Sequence, residues 1–243
     1  MRIDAKGLDH RALNQLIRTS MDGGERKFWL ANVTGQRYIA AGITSPIAIT
    51  IEGVPGNDLG AFMDGPIITV EGNGQDGVGN TMNAGSIVIR GDSRDLTGHS
   101  MRGGRIFVRG DVGYRAGIHM KSYEQQFPVI VVGGRAGDFT GEYMAGGVIV
   151  ILNLHEPNAL PVGNLAATGM HGGTIYMRSK PDERWLGREA LVLPLDTQDD
   201  ELLGKLIGDF SKYFPESALQ YRREEFIKLM ALSHRPYGRL YAY

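Results

Sequence analysis

A short phrase that returns seven times constrains the fold more than any other feature of this chain. It has a small residue, a methionine three places later, a glycine five or six places later, and an apolar-x-apolar pair that ends at a further glycine. Copies begin at Ala41, Gly60, Gly79, Gly98 and Gly117, each 19 residues apart, and two more begin at Gly141 and Ala167 after insertions. A fixed short period is typical of a solenoid, in which each repeat forms one coil.

Two apolar columns, one residue apart, run through the stacked copies. One column holds Ile49, Ile68, Ile87, Ile106, Val129, Ile149 and Ile175, and the other holds Ile51, Val70, Ile89, Val108, Val131, Ile151 and Met177. A period of two indicates the inward face of a strand. Because 19 residues leave no room for a crossover helix, successive copies must pair in parallel. The sequence therefore predicts an all-β chain, a right-handed parallel β-helix of about seven 19-residue coils.

A methionine column is predicted to continue this interior. It comprises Met63, Met82, Met101, Met120, Met144 and Met170, with Thr44 in the first coil. Thioethers also bind soft metals, but unbranched methionine fills irregular core space well, and the chain has no cysteine to accompany such a site. The structural repeat includes glycines where the chain must turn sharply: Gly60, Gly72, Gly79, Gly91, Gly98, Gly110, Gly117 and Gly141.

One outward column changes character along the rod. It starts with Thr50 and Thr69 and then becomes apolar, with Val88, Phe107, Ile130, Val150 and Tyr176. An apolar outward column must be covered, and we favour the C-terminal segment of this chain over a partner. A second outward column places Glu71 opposite Arg90, which favours a cross-strand ion pair.

The two ends are predicted to be caps, so that the chain divides into residues 1–40, 41–180 and 181–243. Asp9 is expected to cap a short helix that carries Leu13, Leu16 and Ile17 on one face and ends at Gly23-Gly24. After the last coil, Leu202, Leu206 and Phe210 predict a helix that Pro215 ends, and Leu219, Phe226, Leu229 and Met230 suggest a second one. The aromatic and basic segment from Arg235 to Tyr241 is assigned no helix and no fixed position.

Composition excludes several functional classes. The 243 residues include 26 basic and 27 acidic ones, a balance that offers no basic surface for nucleic acid or anionic lipid. The absence of cysteine excludes a cysteine nucleophile and an iron–sulfur cluster held by this chain. No apolar run approaches the length of a membrane span, and the N-terminus has no signal region. We expect a cytoplasmic protein that binds neither membrane nor nucleic acid.

Three apparent motifs lack the context that their chemistry needs. The segment Gly72 to Gly77 has dinucleotide-binding spacing, but a coil turn and a strand are expected after it instead of a helix. The segment Gly98 to Gly103 resembles a nucleophile elbow, but Arg102 stands in place of the second glycine. The turn aspartates Asp76, Asp95 and Asp138 do not have the spacing of a calcium-binding β-roll.

Three polar residues remain as candidate metal ligands. His119, Glu142 and His171 fall on similar parts of three successive coils, although they do not form one column. A polar surface ridge is the preferred interpretation, so no catalytic, cofactor-binding or metal residue is assigned, and a small metal-dependent enzyme is kept as an alternative.

The repeated phrase, especially the segment from Gly141 to Leu152, resembles the GXGXG domain that closes the large (alpha) subunit of glutamate synthase. The same domain group includes the β-helical subunit of formylmethanofuran dehydrogenase, and the resemblance covers roughly residues 25 to 180. The glutaminase domain and the FMN and iron–sulfur domain of the large subunit have no counterpart in this chain. The resemblance therefore implies a stand-alone scaffold without its own cofactor.

Its expected partners are a class II glutamine amidotransferase subunit and an FMN and iron–sulfur synthase subunit, which together make glutamate or a related amino acid. The alternatives are a scaffold of a formylmethanofuran dehydrogenase or formyltransferase–hydrolase complex, and a homo-oligomer that associates through the apolar outward column. The insertions at residues 121–127 and 153–162 are expected to protrude from neighbouring parts of the rod, as partner contacts or as plain surface loops.

Overall fold

The computed structural model describes residues 1–179 and 181–233, and its centre is a parallel β-solenoid of about six turns. The predicted fold class is therefore confirmed, although seven turns were expected. The difference arises because seven copies of the phrase are separated by six complete turns. The segment from Arg235 to Tyr241 lies outside the described residues.

Within the described residues, eleven strands form one sheet, in which the first nine follow one another in chain order. The bounds of the strands are β1 Arg2–Asp4, β2 Lys27–Thr34, β3 Ala48–Val54, β4 Asp64–Val70, β5 Ala84–Ile89, β6 Arg105–Val108, β7 Val129–Val132, β8 Ala145–Ile151, β9 Gly172–Arg178, β10 Ala190–Leu193 and β11 Phe226–Ala231. The helices are α1 His10–Asp22 and α2 Thr197–Tyr213, with short 3₁₀ turns at Glu183–Trp185, Pro215–Ser217 and Arg223–Glu225. No helix within residues 1–179 and 181–233 is long and apolar enough to cross a membrane.

The inward columns are as predicted in every coil except the one that contains β7. Ile106 lies beside Ile130 in the sheet, and Phe107 lies beside Val131. Ile130 therefore points inward, whereas Val129 and Val131 point outward, which is the reverse of the prediction. All five extra residues of this coil precede its strand, which shifts the strand by one residue from the predicted alignment. A shift of one residue moves every side chain of a strand to the opposite face.

All six methionines of the predicted column are fully buried. In the first copy the buried residue is Ile43, and the predicted Thr44 is exposed because the first turn begins one residue earlier. The glycine column that starts each copy packs against the same interior. A Cβ atom at Gly117 would lie 2.5 Å from Cδ1 of Ile149 in the next coil, and its φ of +71° is left-handed. Glycine meets both constraints at once.

Aspartates and asparagines link successive coils through the backbone. The N–H of Asp111 donates to Oδ1 of Asp92 at 2.9 Å, and a Cβ atom at Gly110 would lie only 1.9 Å from that oxygen. Equivalent bonds join Asn73 to Asp92, Asp111 to Arg135, Asp76 to Asp95, Asp95 to Tyr114 and Asp138 to Asn164. The turn aspartates that suggested calcium therefore accept backbone N–H groups of the following coil, and the glycines beside them leave room for the carboxylates.

The C-terminal clasp consists of β10, α2 and β11. Helix α2 buries Leu203, Leu206, Ile207 and Phe210 against the outward column that carries Val88, Phe107, Val131, Val150 and Tyr176. The prediction that this chain covers its own apolar column is therefore confirmed. The predicted second C-terminal helix is wrong: residues Phe226–Ala231 form β11, which pairs antiparallel with β9 and β10. Strand pairing satisfies the open backbone edge of the last coil, which a helix would leave unpaired.

The opposite end of the solenoid carries α1. Asp9 caps this helix as predicted, since its carboxylate accepts the N–H of Ala12 at 2.8 Å. Leu13 and Ile17 are fully buried, whereas the third residue of the predicted face, Leu16, is 37% exposed. Helix α1 thus covers the apolar interior at the first coil.

The two insertions leave the rod at opposite ends of its strands. Residues 121–127 precede β7 and are exposed throughout, whereas residues 153–162 follow β8 and are partly buried. The expectation that they protrude from neighbouring parts of the rod is therefore wrong, because parallel strands keep their starting ends at one edge of the sheet and their final ends at the other.

Candidate functional site

One side of the solenoid is built from turns in which left-handed residues alternate with ordinary ones. In four of the coils three residues, two places apart, have a positive φ around a central glycine: Asp58, Gly60 and Phe62; Leu96, Gly98 and Ser100; Arg115, Gly117 and His119; Phe139, Gly141 and Tyr143. The central position is the buried glycine, and the side chains on either side of it point outward. We call the resulting surface the turn edge, defined by Phe62, His99, Arg115, His119, Phe139, Glu142 and Tyr143.

Aromatic rings and imidazoles stack along the turn edge. The rings of His119 and Tyr143 lie 5.4 Å apart between centroids and are nearly parallel, at 11°. The rings of His99 and His119 lie 6.2 Å apart and are tilted by 59°. These contacts exist because neighbouring coils are separated by about 4.8 Å, the spacing of hydrogen-bonded strands, which is close to the stacking distance of rings.

An arginine joins the same surface through two interactions. The guanidinium group of Arg115 lies 4.8 Å from the ring centroid of Phe139, and its Nε donates to a carboxylate oxygen of Glu142 at 2.9 Å. The carboxylate of Glu142 is mostly buried, with its side chain 13% exposed. The pair therefore holds Phe139 and Glu142 in fixed positions at the surface.

The three predicted metal-ligand candidates do not form a site. The backbone N–H of His119 donates to the carbonyl oxygen of Glu142, but the Glu142 carboxylate binds Arg115. Nδ1 of His171 lies 2.9 Å from the carbonyl oxygen of Gly169, which is two residues earlier in the chain. Within residues 1–179 and 181–233, no group of three or more His, Cys, Asp or Glu side chains is arranged to hold a metal ion. The metal-dependent alternative therefore has no site in the described part of the chain.

The other apparent motifs also lie in coil turns. The segment Gly72 to Gly77 leads into a further turn and then β5, and the segment Gly98 to Gly103 leads into β6. Ser100 is held in the left-handed region, at φ 52°, next to Thr81 and His119 in the turn column. Neither segment opens a helix, so the described backbone offers no cradle for a pyrophosphate and no nucleophile elbow.

Burial lowers the pKa of His99, and the neighbouring His119 lowers it further, while Asp58 acts in the opposite direction. His99 is therefore mainly neutral at pH 7. His99 lies beside His119, which in turn stacks on Tyr143, so the two imidazoles belong to an aromatic surface that suits contact with another protein. Tyrosine and arginine are also enriched at the centres of protein interfaces.

Exposure is consistent with that interpretation. Phe62 is 57% exposed, His119 is exposed, and Tyr143 and Phe139 are partly exposed. Exposed aromatic side chains that lie together on a folded surface typically mark an interaction site. The sequence pattern indicates His119 and Glu142 but not the surface as a whole, because its members are separated by about one coil of sequence and no local motif joins them. The left-handed positions of the repeat are the signal that could have located it.

A second group of ionisable side chains is buried where the clasp meets the last coil. The hydroxyl of Tyr176 donates to Asp199 at 2.6 Å, and the ammonium group of Lys228 binds both Asp199 and Asp196. Burial raises the pKa of Tyr176, and its bond to Asp199 raises it further. Burial opposes the charge of Lys228, but the bonds to Asp199 and Asp196 outweigh it and raise its pKa. These groups satisfy one another and attach α2 and β11 to β9.

Comparison with known proteins supports a single family. The sequence profile of the GXGXG motif matches residues 26–220. An uncharacterized protein of Methanocaldococcus jannaschii is 47% identical over 248 residues, which cover 98% of this chain and 95% of that protein.

Proposed function

This chain belongs to the GXGXG motif family, and from that premise we propose that it is a non-catalytic, cytoplasmic scaffold subunit of a split glutamate synthase-like complex. In this proposal it holds a class II glutamine amidotransferase subunit and an FMN and iron–sulfur synthase subunit at a fixed separation. Ammonia released by the first passes to the second, which forms glutamate or a related amino acid. The chain itself carries no cofactor.

The observation that carries the proposal is the combination of a rigid rod with the exposed turn edge. Nine consecutive strands pair in one ladder around a methionine-filled interior, so the rod resists bending between two bound subunits. The turn edge extends from Phe62 to Tyr143, across five successive turns. Its described side chains assemble no nucleophile, base and oxyanion donor, and they supply the aromatic and arginine contacts that a docking surface needs.

The length of the relative gives further support. This chain matches 95% of the Methanocaldococcus jannaschii protein, so the match is to a protein of nearly the same size and not to one segment of a large multidomain subunit. In a large subunit of the kind that the sequence resembles, the glutaminase and synthase domains are part of the same chain. In our proposal they are separate subunits that the turn edge collects.

The test is to tag this chain at its native level in its own cell and to identify the co-purifying proteins by mass spectrometry. We expect a class II amidotransferase together with an FMN and iron–sulfur protein. Co-purification with a molybdenum or tungsten pterin subunit would instead support the formylmethanofuran dehydrogenase alternative. Recovery of the chain alone, with a homo-oligomeric mass in solution, would contradict both.

The role of the turn edge is tested with matched aromatic substitutions. We expect Phe62→Ser and Tyr143→Ser to remove the partners from the purified material. Trp29→Ser is the control, because Trp29 is also exposed, at 41%, but lies on the outward face of β2. Strong glutaminase or glutamate synthase activity from the purified chain alone would contradict the scaffold proposal.

A further inference from the structure

A second surface column is formed by the residues that directly follow the buried methionines in the chain. Each of its residues follows a methionine and donates its backbone N–H to a methionine carbonyl of the preceding coil: Asn83 to Met63 at 2.9 Å, Arg102 to Met82 at 2.9 Å, and Lys121 to Met101 at 3.0 Å. The side chains of Asn83, Arg102 and Lys121 therefore start from positions about 5 Å apart along one line. Asp64 precedes them in the same column.

The first insertion forms one wall of a cavity over this column. Its residues Tyr123 and Gln126 exchange backbone hydrogen bonds at 2.8 and 3.2 Å and form a small hairpin. The hairpin lies close to the coils at two glycines, since a Cβ atom at Gly146 would be 2.4 Å from the nitrogen of Ser122 and one at Gly103 would be 3.2 Å from Cβ of Gln126. The cavity has a volume of about 400 Å³ and is lined by Asp64, Asn83, Arg102, Lys121, Tyr123 and Gln126.

The charges of this cavity are not balanced by the described part of the chain. Neither Arg102 nor Lys121 has an ion-pair partner within residues 1–179 and 181–233, although they are neighbours of like charge. Most other arginines of the coils are paired with a carboxylate: Arg90, Arg105, Arg109, Arg115, Arg135 and Arg178. Asp64, the one carboxylate in the lining, stands two coils from Arg102. Adjacent like charges are unfavourable unless an anion lies between them.

We propose that this cavity binds a small anion, with a carboxylate or phosphate group held between Arg102 and Lys121. An arginine presents parallel N–H donors that match two oxygens of such a group, and lysine adds a point charge. Tyr123, Gln126 and Asn83 supply further donors from the walls. The volume lies within the range of small-molecule sites. This inference is independent of the scaffold proposal, because none of the residues that line the cavity belongs to the turn edge.

Isothermal titration calorimetry with inorganic phosphate and with succinate, at constant ionic strength, tests the site. We expect one-site saturable binding of at least one probe, and the stronger probe identifies which anionic group the cavity prefers. Arg102→Gln and Lys121→Gln should each weaken binding at least tenfold, because each removes a charge-assisted hydrogen bond. All lining side chains except Asn83 are exposed, so these variants should fold, and far-UV circular dichroism confirms it.

Arg94→Gln provides the matched control. Arg94 is an exposed arginine in the coil before that of Arg102, has no ion-pair partner among the described residues, and does not line the cavity. Its substitution should leave binding unchanged. The proposal is overturned if neither probe binds saturably, or if Arg94→Gln weakens binding as much as Arg102→Gln does, because the effect would then reflect net charge alone.

Discussion

The rod and the clasp contribute strands to the same sheet but are held together by different means. In the rod, most coils repeat the buried methionine, the pair of inward apolar side chains and the Asx-to-backbone bond of their neighbours. In the clasp, β11 is attached by one antiparallel ladder with β9, and α2 by one apolar face, with one buried network around Asp199 and Lys228 joining the two. The rod is therefore stabilised by many equivalent contacts, and the clasp depends on a few that have no repeat.

This difference predicts which region of the molecule a single substitution should destabilise. A contact that recurs in every coil is supported by backbone ladders above and below it, so its loss weakens the solenoid as a unit. A contact made once can fail alone and release one element. The two tryptophans separate these outcomes, because Trp29 lies in β2 and Trp185 lies just before β10. Variants that retain only one of them report on one region each.

The largest expected loss of stability follows from a substitution in the buried network of the clasp. Lys228→Met leaves the Asp199 carboxylate, which is 7% exposed, without its cation. Breaking a buried ion pair from one side costs about 3–5 kcal/mol. We expect the midpoint of urea unfolding, followed by the fluorescence of Trp185, to move to a lower urea concentration. The midpoint followed by the fluorescence of Trp29 should not change.

Lys205→Met is the control for this variant, because Lys205 is exposed on the same helix. It should leave both transitions unchanged, and the double variant Asp199→Asn with Lys228→Met should recover most of the loss. Equal shifts at Trp29 and Trp185 in Lys228→Met would mean that the clasp and the rod unfold as one unit.

The methionine column should show the opposite behaviour. Met120→Ala removes a fully buried side chain from the interior, which costs about 2–5 kcal/mol. Since the interior is shared by neighbouring coils, both tryptophan transitions should move to lower urea together. Met120→Leu nearly conserves volume and should cost less than about 1.5 kcal/mol.

Leu206→Ala is the matched truncation in the clasp, where Leu206 is 1% exposed. Its effect should be confined to the Trp185 transition. An unmoved Trp29 transition in Met120→Ala would show that the coils are energetically independent of one another.

One identical substitution should have opposite signs in the two regions. Gly117→Ala forces a side chain into a left-handed turn against Ile149, and the conformation alone costs about 1–2 kcal/mol. Gly204→Ala lies inside α2, where a Cβ atom meets nothing within 4 Å, so it should stabilise the helix by about 0.5–1 kcal/mol.

Thermal unfolding measured by circular dichroism compares these two variants directly. The last copy of the repeat carries Ala167 at the position of Gly117, with φ 62°, so the site tolerates alanine conformationally and Gly117→Ala should still fold. A melting temperature for Gly117→Ala at or above that of the unmodified protein would contradict the close-packing argument.

The smallest expected effect is the pH dependence due to His99. Its pKa is lowered in the folded protein, so below about pH 6.5 the unfolded chain binds the proton more readily and stability falls as pH falls. Removing the histidine with His99→Gln should reduce the loss of stability between about pH 7.5 and about pH 5. Because His99 is partly exposed, the difference should be well under about 1 kcal/mol.

Urea unfolding at the two pH values measures this difference, with His155→Gln as a control at an exposed histidine of the second insertion. The turn-edge geometry predicts that His99→Gln flattens the pH dependence more than His155→Gln does. The same or a smaller change in His99→Gln would argue against the burial of the His99 imidazole.

Periodicity made most of the rod predictable. The methionine column, the inward pairs such as Ile49 and Ile51, and the outward pair of Glu71 with Arg90, which lie 2.9 Å apart, all followed from aligning the copies. Periodicity also led to the two errors of register, at Ile130 and Ile43. Both lie beside irregular spacings, where the sequence does not say on which side of a strand the extra residues fall.

The clasp and the candidate sites were less predictable. An apolar pattern around Phe226 and Leu229 is compatible with a helix or with a strand, and the open edge of β9 decides in favour of a strand. The turn edge brings together His99, His119 and Tyr143, and the cavity joins Asp64 to Lys121; both depend on stacking distances that appear only when the coils are closed.

The sequence by itself determined the solenoid, its period and most of its interior, because a repeated pattern of burial admits one way of stacking. Only the tertiary structure decided which backbone edge β11 pairs with, that the carboxylate of Glu142 binds Arg115, and that Arg102 and Lys121, which have no ion-pair partner among the described residues, share a cavity. The physical reason is distance along the chain. Burial is encoded locally in each repeat, whereas these contacts join residues that are one or more coils apart and depend on the exact register of the coils between them.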